Sequence, residues 1–397
     1  MNELKVAVVG AGISGLTAAL ALHRGGVRVT VYEQASALVE IGAGLSVFAN
    51  GWRVLDNLGV ADHIKPLGAR PHELIFRSWD RGERIHSEPM ALGGRYEREF
   101  GQPYIGVLRS HVQRALVEQL PAEAIRLDHC LVDFAEEGSQ VRLDWADGTS
   151  SWADLVIAAD GARSATRTKL FGASERYSGT SGFRGIVPAA EVPSLQDPEN
   201  LQFWVGPDAH LLHFPIVPEA DLVTFLAVSE SPRRWPRRDT WRIACTQEEA
   251  LEPFVGWHPA VREMVDAASH SERWALFSVA PLDSWSRGRV ALLGDSAHGM
   301  LPHHGQGANQ GIEDAYLLAA LLSSDRGAAD PLWAVNEYEA HRKPHTAQVQ
   351  AASWVANRFL HVPDTDAQRD SALKTVAEHY SWIHQHDVCR EAELASN

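Results

Sequence analysis

Three glycines near the start of the chain have the spacing of a loop that binds phosphate groups. Gly10, Gly12 and Gly15 follow an apolar run at residues 5–9 in the pattern G-x-G-x-x-G. Glycine at these positions permits a tight turn and a close backbone approach to a pyrophosphate, and a helix that begins there offers free N–H groups. Glu33 stands about 20 residues farther on, where an acid accepts hydrogen bonds from ribose hydroxyls. The pattern predicts a dinucleotide site but does not distinguish NAD from FAD.

Two later segments place an aspartate where an apolar run ends. Asp160 follows the run at residues 155–159, and Asp295 follows Gly294 after the run at residues 290–293. Because ligands of open α/β sheets bind outside the carboxyl ends of the strands, both carboxylates are predicted to face one crevice. Each aspartate can also cap its own loop, and one side chain can serve both purposes.

Small residues precede an apolar helical pattern at residues 309–322. They are Pro302, Gly305, Gly307, Ala308 and Asn309. The N-terminus of this helix would stabilise a nearby negative charge by on the order of 1 kcal/mol or more, through its free N–H groups and its dipole. The glycines let the backbone approach a flat ligand closely.

Together, these motifs resemble those of the group A flavoprotein monooxygenases, the FAD-dependent aromatic hydroxylases related to para-hydroxybenzoate hydroxylase and salicylate hydroxylase. The resemblance covers residues 5–355 and looks most like salicylate hydroxylases and hydroxylases of 3-hydroxybenzoate and 6-hydroxynicotinate. Further matching segments are Ile41-Gly42-Ala43-Gly44, Leu108-Arg109-Ser110-His111, Gly182-Phe183-Arg184-Gly185 and the run from Pro302 to Ala315.

The resemblance implies a chemistry and a set of cofactor contacts. NADH or NADPH would reduce FAD, O₂ would give a C4a-hydroperoxide, and its terminal oxygen would pass to a small phenolic acid or hydroxy-N-heterocycle. Glu33 would bind the adenosine ribose, Arg109 the ribose and pyrophosphate region, and Asp295 the ribityl chain. Asp160 would serve both FAD and the reduced nicotinamide. The predicted cofactor-binding residues are Gly10, Gly12, Ser14, Gly15, Glu33, Gly44, Arg109, Asp160, Gly294, Asp295, Pro302, Gly305, Gly307, Ala308 and Asn309.

A short segment near the middle of the chain offers a catalytic base. If residues 208–215 form a strand, His210, Leu212 and Phe214 share one face and His213 points to the other. The related hydroxylases of 3-hydroxybenzoate and 6-hydroxynicotinate have a catalytic histidine at the position of His210, and an imidazole with a pKa near ~6.5 suits deprotonation of a phenol. Those relatives have a tyrosine where this chain has Phe214, so the resemblance leaves the exact substrate open.

His303 is a second catalytic candidate, because the loop that contains it would touch both the flavin ring and the substrate. Leu212 and Phe214 are predicted to line the substrate pocket. Arg184 is predicted to pair with a substrate carboxylate there, or else to hold the flavin loop.

The order of elements explains how these residues come together. An α/β pattern opens the chain with a strand at residues 5–9, a helix at 14–23 and a strand at 27–32, pauses for a strand-rich insert, and resumes near 290. This predicts a Rossmann-like FAD-binding domain with an inserted β-rich substrate domain and C-terminal helices. The FAD-binding domain would comprise residues 1–70, 98–176 and 276–362, the substrate domain 71–97 and 177–275, and a helical tail 363–397.

Composition excludes several other classes of protein. The 397 residues include 36 Lys+Arg and 51 Asp+Glu, a net charge of -15 that disfavours nucleic-acid binding. Three distant cysteines suggest neither disulfides nor a metal site, and we expect a cytoplasmic protein without a signal peptide, membrane span or bound metal. It would act as a monomer or homodimer. The alternatives are the same chemistry on a larger polycyclic or antibiotic substrate, and a flavin-binding protein without turnover.

Overall fold

The computed structural model describes residues 4–38, 44–172, 175–231, 234–236, 240–268, 272–361 and 381–396. The strands are β1 (Lys5–Val9), β2 (Arg28–Tyr32), β3 (Gly44–Val47), β4 (Glu73–Ser78), β5 (Arg84–Pro89), β6 (Ile105–Leu108), β7 (Ile125–Arg126), β8 (Leu131–Glu137), β9 (Gln140–Trp145), β10 (Ser150–Ala153), β11 (Leu155–Ala158), β12 (Glu175–Pro188), β13 (Leu201–Gly206), β14 (Ala209–Pro215), β15 (Leu222–Glu230), β16 (Arg242–Ala244), β17 (Glu272–Val279), β18 (Ser286–Arg287) and β19 (Val290–Leu292). The helices are α1 (Ile13–Arg24), α2 (Ala49–Asn57), α3 (Ala61–Ile64), α4 (Arg95–Phe100), α5 (Arg109–Val117), α6 (Ala165–Phe171), α7 (Gln247–Leu251), α8 (Pro259–Ala267), α9 (Asp295–His298), α10 (Gly307–Ser323), α11 (Asp325–Ala329), α12 (Pro331–Phe359) and α13 (Val388–Ser396).

A six-stranded sheet places the three predicted loops side by side. Its order is β18-β19-β11-β1-β2-β7, and all neighbours are parallel except β18 and β19. Apart from the exposed Lys5, the central strands β1, β11 and β19 consist of apolar residues that are buried on both faces, as a covered parallel sheet requires. The glycine turn, Asp160 and Gly294 therefore follow neighbouring strands at one edge of the sheet.

An eight-stranded sheet carries the strand-rich part of the chain, in the order β16-β17-β12-β15-β14-β13-β4-β5. Helices α7 and α8 cover one face, where Leu211, Phe225 and Val261 belong to a single apolar cluster. The opposite face carries Phe203 and Leu212. Two smaller sheets, β8-β9-β10 and β3-β6, complete the strand pairing of the described residues.

The structure confirms the predicted α/β fold class and its first βαβ unit. The predicted strands at 5–9, 27–32, 155–159 and 290–293 and the helix at 309–322 all form, with ends that differ by at most two residues. In the predicted tail, the helical spacing of Leu373, Val376 and Tyr380 lies outside the described residues. The described residues 381–396 include α13, which packs on α10 and α2. None of the helices in the described part of the chain is long and apolar enough to cross a membrane.

Helix α10 is held against α12 by buried charges. Arg342 donates a hydrogen bond from Nε to Asp314 Oδ1 at 2.7 Å and forms an ion pair with Glu313 at 2.8 Å, and His298 Nε2 bonds Asp314 Oδ2 at 2.5 Å. Burial alone would raise the pKa of both carboxyl groups, but Arg342 and neighbouring histidines lower each to about 2. Both groups are therefore carboxylates at neutral pH.

The same cluster fixes the last described segment of the chain. His386 places Nδ1 3.1 Å from Glu313 and Nε2 3.1 Å from Glu391. Burial opposes the charge on His386, but Glu313 and Glu391 raise its pKa to about 9. Because this pKa lies above that of an unfolded histidine, the pair stabilises the fold fully below about pH 6.5 and is lost as the pH rises through about 9.

We predict that the free energy of unfolding falls as the pH drops below about 6.5, because several largely buried histidines are neutral in the folded chain. Burial lowers the pKa to about 3 for His213, His303 and His384, to about 4 for His345 and His361, and well below the ordinary value for His210. Below about pH 6.5 only the unfolded chain binds these protons, so each ring costs up to about 1.4 kcal/mol per pH unit. Urea unfolding at about pH 7, 6 and 5 measures this dependence.

His213→Leu provides the control. Neither ring nitrogen of His213 has a hydrogen-bond partner among the described residues, so leucine removes a buried polar group without leaving another one unpaired. We expect a free energy of unfolding at neutral pH within about 1.5 kcal/mol of the parent. Below about pH 6.5, the slope of this free energy against pH should be smaller by the contribution of about one proton. An unchanged slope would contradict the assignment of His213 as neutral.

Candidate active site

The glycine turn leaves open space beside its middle glycine. A Cβ at Gly10, where φ is +105°, would lie 2.4 Å from the Ala159 carbonyl oxygen, and one at Gly15 would lie 2.1 Å from the Gly10 carbonyl oxygen. The packing of the chain itself therefore requires these two glycines. A Cβ at Gly12 would meet nothing within 4 Å. The backbone thus offers a cradle at Gly12, at the N-terminus of α1, that fits a pyrophosphate.

Glu33 ties the end of β2 to this turn. Its Oε2 accepts a hydrogen bond from the Ala11 N–H at 2.8 Å, and its Oε1 accepts one from the Ala35 N–H at 2.9 Å. Each carboxylate oxygen has a second lone pair. The side chain is therefore held in one orientation and can still accept hydrogen bonds from a ribose.

Asp160 uses one of its two oxygens to fix its own loop. Oδ2 accepts a hydrogen bond from the Thr166 N–H at 3.0 Å, whereas the buried Oδ1 has no partner among the described residues. A buried carboxylate oxygen without a partner is costly, so this atom fits a ligand that donates a hydrogen bond. The structure shows the capping role and leaves room for the binding role.

Asp295 is exposed, whereas Ser296 and Ala297 beside it are buried. A Cβ at Gly307 would lie 3.5 Å from Asp295 Oδ1, so the carboxylate reaches the start of α10. Gly294 has φ +64°, and a Cβ there would lie 2.8 Å from Ser14 Oγ. Ser14 also lies close to Gly311, so its side chain fills the contact between α1 and α10.

The loop before α10 is held by Asn309. Its Nδ2 donates to the carbonyl oxygens of Ser46 at 3.0 Å and Gly305 at 2.9 Å, and its Oδ1 accepts from the Phe48 N–H at 3.1 Å. These bonds join the loop to the end of β3. Helix α10 begins at Gly307, slightly earlier than predicted, after a short turn at Pro302–His304 and a left-handed Gly305.

Of the other predicted cofactor residues, Gly44 lies at a close contact between two sheets, and Arg109 and Ala308 lie in the first turns of helices. Gly44 permits the close approach of β3 to the large sheet, because a Cβ there would lie 2.2 Å from Thr224 Cγ2. Arg109 begins α5 and is partly exposed, as is Ala308 in the first turn of α10. The segment Ile41-Gly42-Ala43, which precedes Gly44, lies outside the described residues.

A cavity of about 390 Å³ lies between the large sheet, α4, the loop before α10 and the C-terminal segment. Its volume falls near the lower end of the ~300–1,000 Å³ typical of small-molecule sites. The apolar part of the wall consists of Phe48, Leu74, Phe76, Met90, Phe100, Leu201, Phe203 and Leu212. Of the residues predicted for catalysis and substrate binding, Leu212 and His303 line this cavity.

His210 lies directly behind His303. It is 1% exposed, its ring centroid lies 5.2 Å from that of His303, and its Nδ1 is 2.8 Å from His361 Nε2. His303 Nε2 lies 2.8 Å from Asn357 Oδ1; because an amide oxygen only accepts, this nitrogen of His303 carries the proton. Burial lowers the pKa of both His210 and His303 below the ordinary histidine value of ~6.5.

Two residues predicted for the substrate pocket lie elsewhere. Phe214 packs under β6, where a Cβ at Gly106 would lie 2.7 Å from its ring. Arg184 is exposed on β12, with its guanidinium 4.3 Å from the ring centroid of Trp274. Neither residue is among the described residues that line the cavity. Strand register places Arg184 on the cavity-facing side of the sheet but two strands away from Leu212.

The hydroxyl groups in the cavity wall were not predicted from the sequence. Ser46 Oγ and Tyr104 OH are 2.6 Å apart, and the Tyr96 hydroxyl accepts a hydrogen bond from the Ala49 N–H at 3.3 Å. Burial raises the pKa of both tyrosines, so both keep their protons. The cluster of aromatic residues between 96 and 104 was the signal that could have indicated them.

Glu313, His345 and His386 each place one potential metal-ligand atom within 4.8 Å of the others. Arg342 already pairs with Glu313, and the rings of His345 and His386 lie 3.9 Å apart at a 30° angle. Ion pairing and ring contact account for this cluster without a metal.

Comparison with known proteins adds independent information about the whole chain. Residues 3–353 match the model of a family described as FAD binding domain. A 3-amino-4-hydroxybenzoate 2-monooxygenase of Streptomyces platensis is 38% identical over 96% of each chain, and a 6-hydroxynicotinate 3-monooxygenase of Pseudomonas fluorescens is 35% identical over 88% of this chain and 90% of its own. The structure of a salicylate hydroxylase substrate complex superposes with a TM-score of 0.81 and 28% identity, covering 99% of this chain and 98% of its own.

We predict that Gly12→Ala weakens FAD binding at least about tenfold without changing thermal stability of the protein freed of FAD. The added methyl group enters space that the chain leaves open and that the pyrophosphate would fill, and Gly12 has a φ of -70° that alanine adopts freely. Quenching of FAD fluorescence on titration measures the dissociation constant.

Gly15→Ala is the matched control, because its methyl group collides with backbone instead of open space. This variant should lose stability even without FAD. Equal FAD affinity of Gly12→Ala and the parent protein would place the pyrophosphate elsewhere.

Proposed function

The chain belongs to the family of flavoprotein aromatic monooxygenases that share an FAD-binding domain, and from this premise we propose that it hydroxylates a small phenolic acid or hydroxy-N-heterocycle. It is a single-component monooxygenase that uses FAD, NADH or NADPH, and O₂. The observation that supports the substrate class is the cavity of about 390 Å³ beside the loop before α10.

The residues around the glycine turn fit FAD, and we assign them as follows. The backbone at Gly12 and Arg109 bind the pyrophosphate region, Glu33 binds the adenosine ribose, and Asp295 binds the ribityl chain. Asp160 offers its unpartnered Oδ1 to the cofactor or to the nicotinamide. Bound FAD, once reduced by NADH or NADPH, supplies the activation of O₂ that delivers one oxygen atom to the ring.

The cavity favours a single aromatic ring. Four phenylalanines and three leucines are among its 20 lining residues, and the tyrosine hydroxyls are neutral donors. An apolar surface around the substrate ring would limit the wasteful loss of hydrogen peroxide. The small volume supports a single-ring substrate over the larger polycyclic alternative. The presence of Asp160, whose Oδ1 has no partner among the described residues, and of Asp295 supports turnover over mere flavin binding.

We assign the substrate carboxylate to Arg95 instead of Arg184. Among the described residues that line the cavity, Arg95 is the one lysine or arginine. Its side chain is 58% exposed and lies 3.9 Å from Glu99, so it stands at the mouth of the cavity. A phenolic acid would then enter with its ring in the apolar interior and its carboxylate toward solvent.

We propose that His303 and His210 assist loss of the substrate hydroxyl proton. His303 lines the cavity, and His210 supports it from behind through their ring contact. Burial keeps both imidazoles neutral, so each can accept a proton, but it also makes each a weaker base than a solvent-exposed histidine.

All three cysteines are free, which supports a cytoplasmic location.

Oxidation of NADH or NADPH stimulated by a phenolic acid tests the proposed function. The panel is 3-amino-4-hydroxybenzoate, 6-hydroxynicotinate, salicylate and 3-hydroxybenzoate. We expect at least one compound to raise consumption about tenfold or more and to give a product heavier by one oxygen atom, with further loss of the carboxyl group if hydroxylation is decarboxylative. Consumption that no panel member raises would contradict the proposed substrate class.

We predict that His210→Ala and His303→Ala lower the yield of hydroxylated product per NAD(P)H consumed. Base assistance is worth ~10²–10⁴ in rate, and without it a larger share of the reducing equivalents leaves as hydrogen peroxide. His213→Ala is the control. In the register of β13 and β14, His213 lies opposite Gln202, and its side chain points to the face of the sheet away from the cavity. Normal coupling in both variants, or uncoupling only in His213→Ala, would refute the assignment.

A further inference from the structure

The C-terminal segment contributes directly to the cavity wall. Ser381 and His384 line the cavity together with residues of α4 and β3, from which they are separated by more than half of the chain. His384 is 6% exposed, and burial lowers its pKa to about 3, so its ring is neutral. A neutral ring packs among aromatic side chains without the cost of a buried charge.

His384 completes a box of aromatic rings. Its ring stacks on Phe48 at 4.6 Å between centroids and 25° between planes, and it meets Phe100 edge-on at 5.3 Å and 84°. Tyr96 lies 5.5 Å away. Because these three residues also line the cavity, His384 closes one side of the space in which a substrate ring would lie.

The backbone around His384 is fixed independently of its side chain. Arg53 Nη1 donates to the carbonyl oxygens of His384 and His386 at 2.8 Å each, and Arg53 Nη2 donates to the Phe100 carbonyl oxygen. His386 is bonded in turn to Glu313 on α10. Substitution of the His384 side chain therefore leaves the anchors of the segment in place.

We propose that His384 is a specificity-determining residue that restricts the cavity to a single aromatic ring. The inference rests on the proposed function, because it takes the cavity as the substrate site. The His384 ring, which comes from the C-terminal segment, limits the size of the substrate ring. The predicted cofactor residues at the edge of the six-stranded sheet do not take part in this limit. Removal of the imidazole opens the box on the side of the C-terminal segment and admits a fused second ring.

The test compares ligand binding to the FAD-loaded enzyme, measured from the change in flavin absorbance on titration. The probes are salicylate and 3-amino-4-hydroxybenzoate as single rings and 1-hydroxy-2-naphthoate as a fused pair. For His384→Ala we expect about tenfold weaker binding of a single-ring acid and binding of the naphthoate at least about tenfold tighter than in the parent. His384→Trp should weaken single-ring binding, and His384→Phe should keep it within about threefold.

Leu394→Ala is the control, because Leu394 lies on α13 in the same segment and is 73% exposed. It should bind every probe as the parent does. FAD content and thermal stability of each variant are measured alongside, and His384→Trp and His384→Phe decide the outcome if His384→Ala does not fold.

Two results overturn the inference in distinguishable ways. Parent-like affinities for all probes in His384→Ala and His384→Trp would remove His384 from the substrate site and leave the proposed function intact. A parent enzyme that binds none of the probes would overturn the proposed substrate class and, with it, the role of His384.

Discussion

The buried pairing of Arg342 with Glu313 and Asp314 is the interaction on which the rest of the site depends. It joins α12 to α10, the helix that follows the loop predicted to face the flavin. Through the contact of Glu313 with His386, it also reaches the C-terminal segment. Loss of one partner from a buried ion pair leaves an uncompensated charge at a cost of about 3–5 kcal/mol. The cofactor loop and one wall of the substrate cavity therefore share a single electrostatic anchor.

Close contact between the small β3-β6 sheet and the eight-stranded sheet is the second constraint. Gly44 on β3 and Gly106 on β6 lie so near the eight-stranded sheet that a Cβ at either would collide with Thr224 or with Pro215. The small sheet is therefore held tightly against the eight-stranded sheet. Asn309 then fixes the loop before α10 to the same small sheet.

The cofactor and substrate sites draw on different parts of the fold. Several of the predicted cofactor residues, among them the glycine turn, Asp160 and Gly294, follow strands of the six-stranded sheet. The cavity proposed for the substrate is built from α4, strands β3, β4, β5, β13 and β14, the loop before α10 and the C-terminal segment, and about half of its wall is apolar or aromatic. Ring specificity can therefore change through a few wall residues without disturbing FAD binding.

The βαβ unit, the glycine turn and the strand parity of His210 and Leu212 could be predicted from the sequence, because each depends on short-range periodicity and backbone sterics. The position of Arg184 away from the cavity, the contacts of Asn309 with its loop and the place of His384 in the aromatic box could not be predicted in this way. These outcomes depend on which distant elements pack together. The lowered pKa values of the histidines have the same origin, since desolvation depends on the surrounding protein and not on neighbours in the sequence.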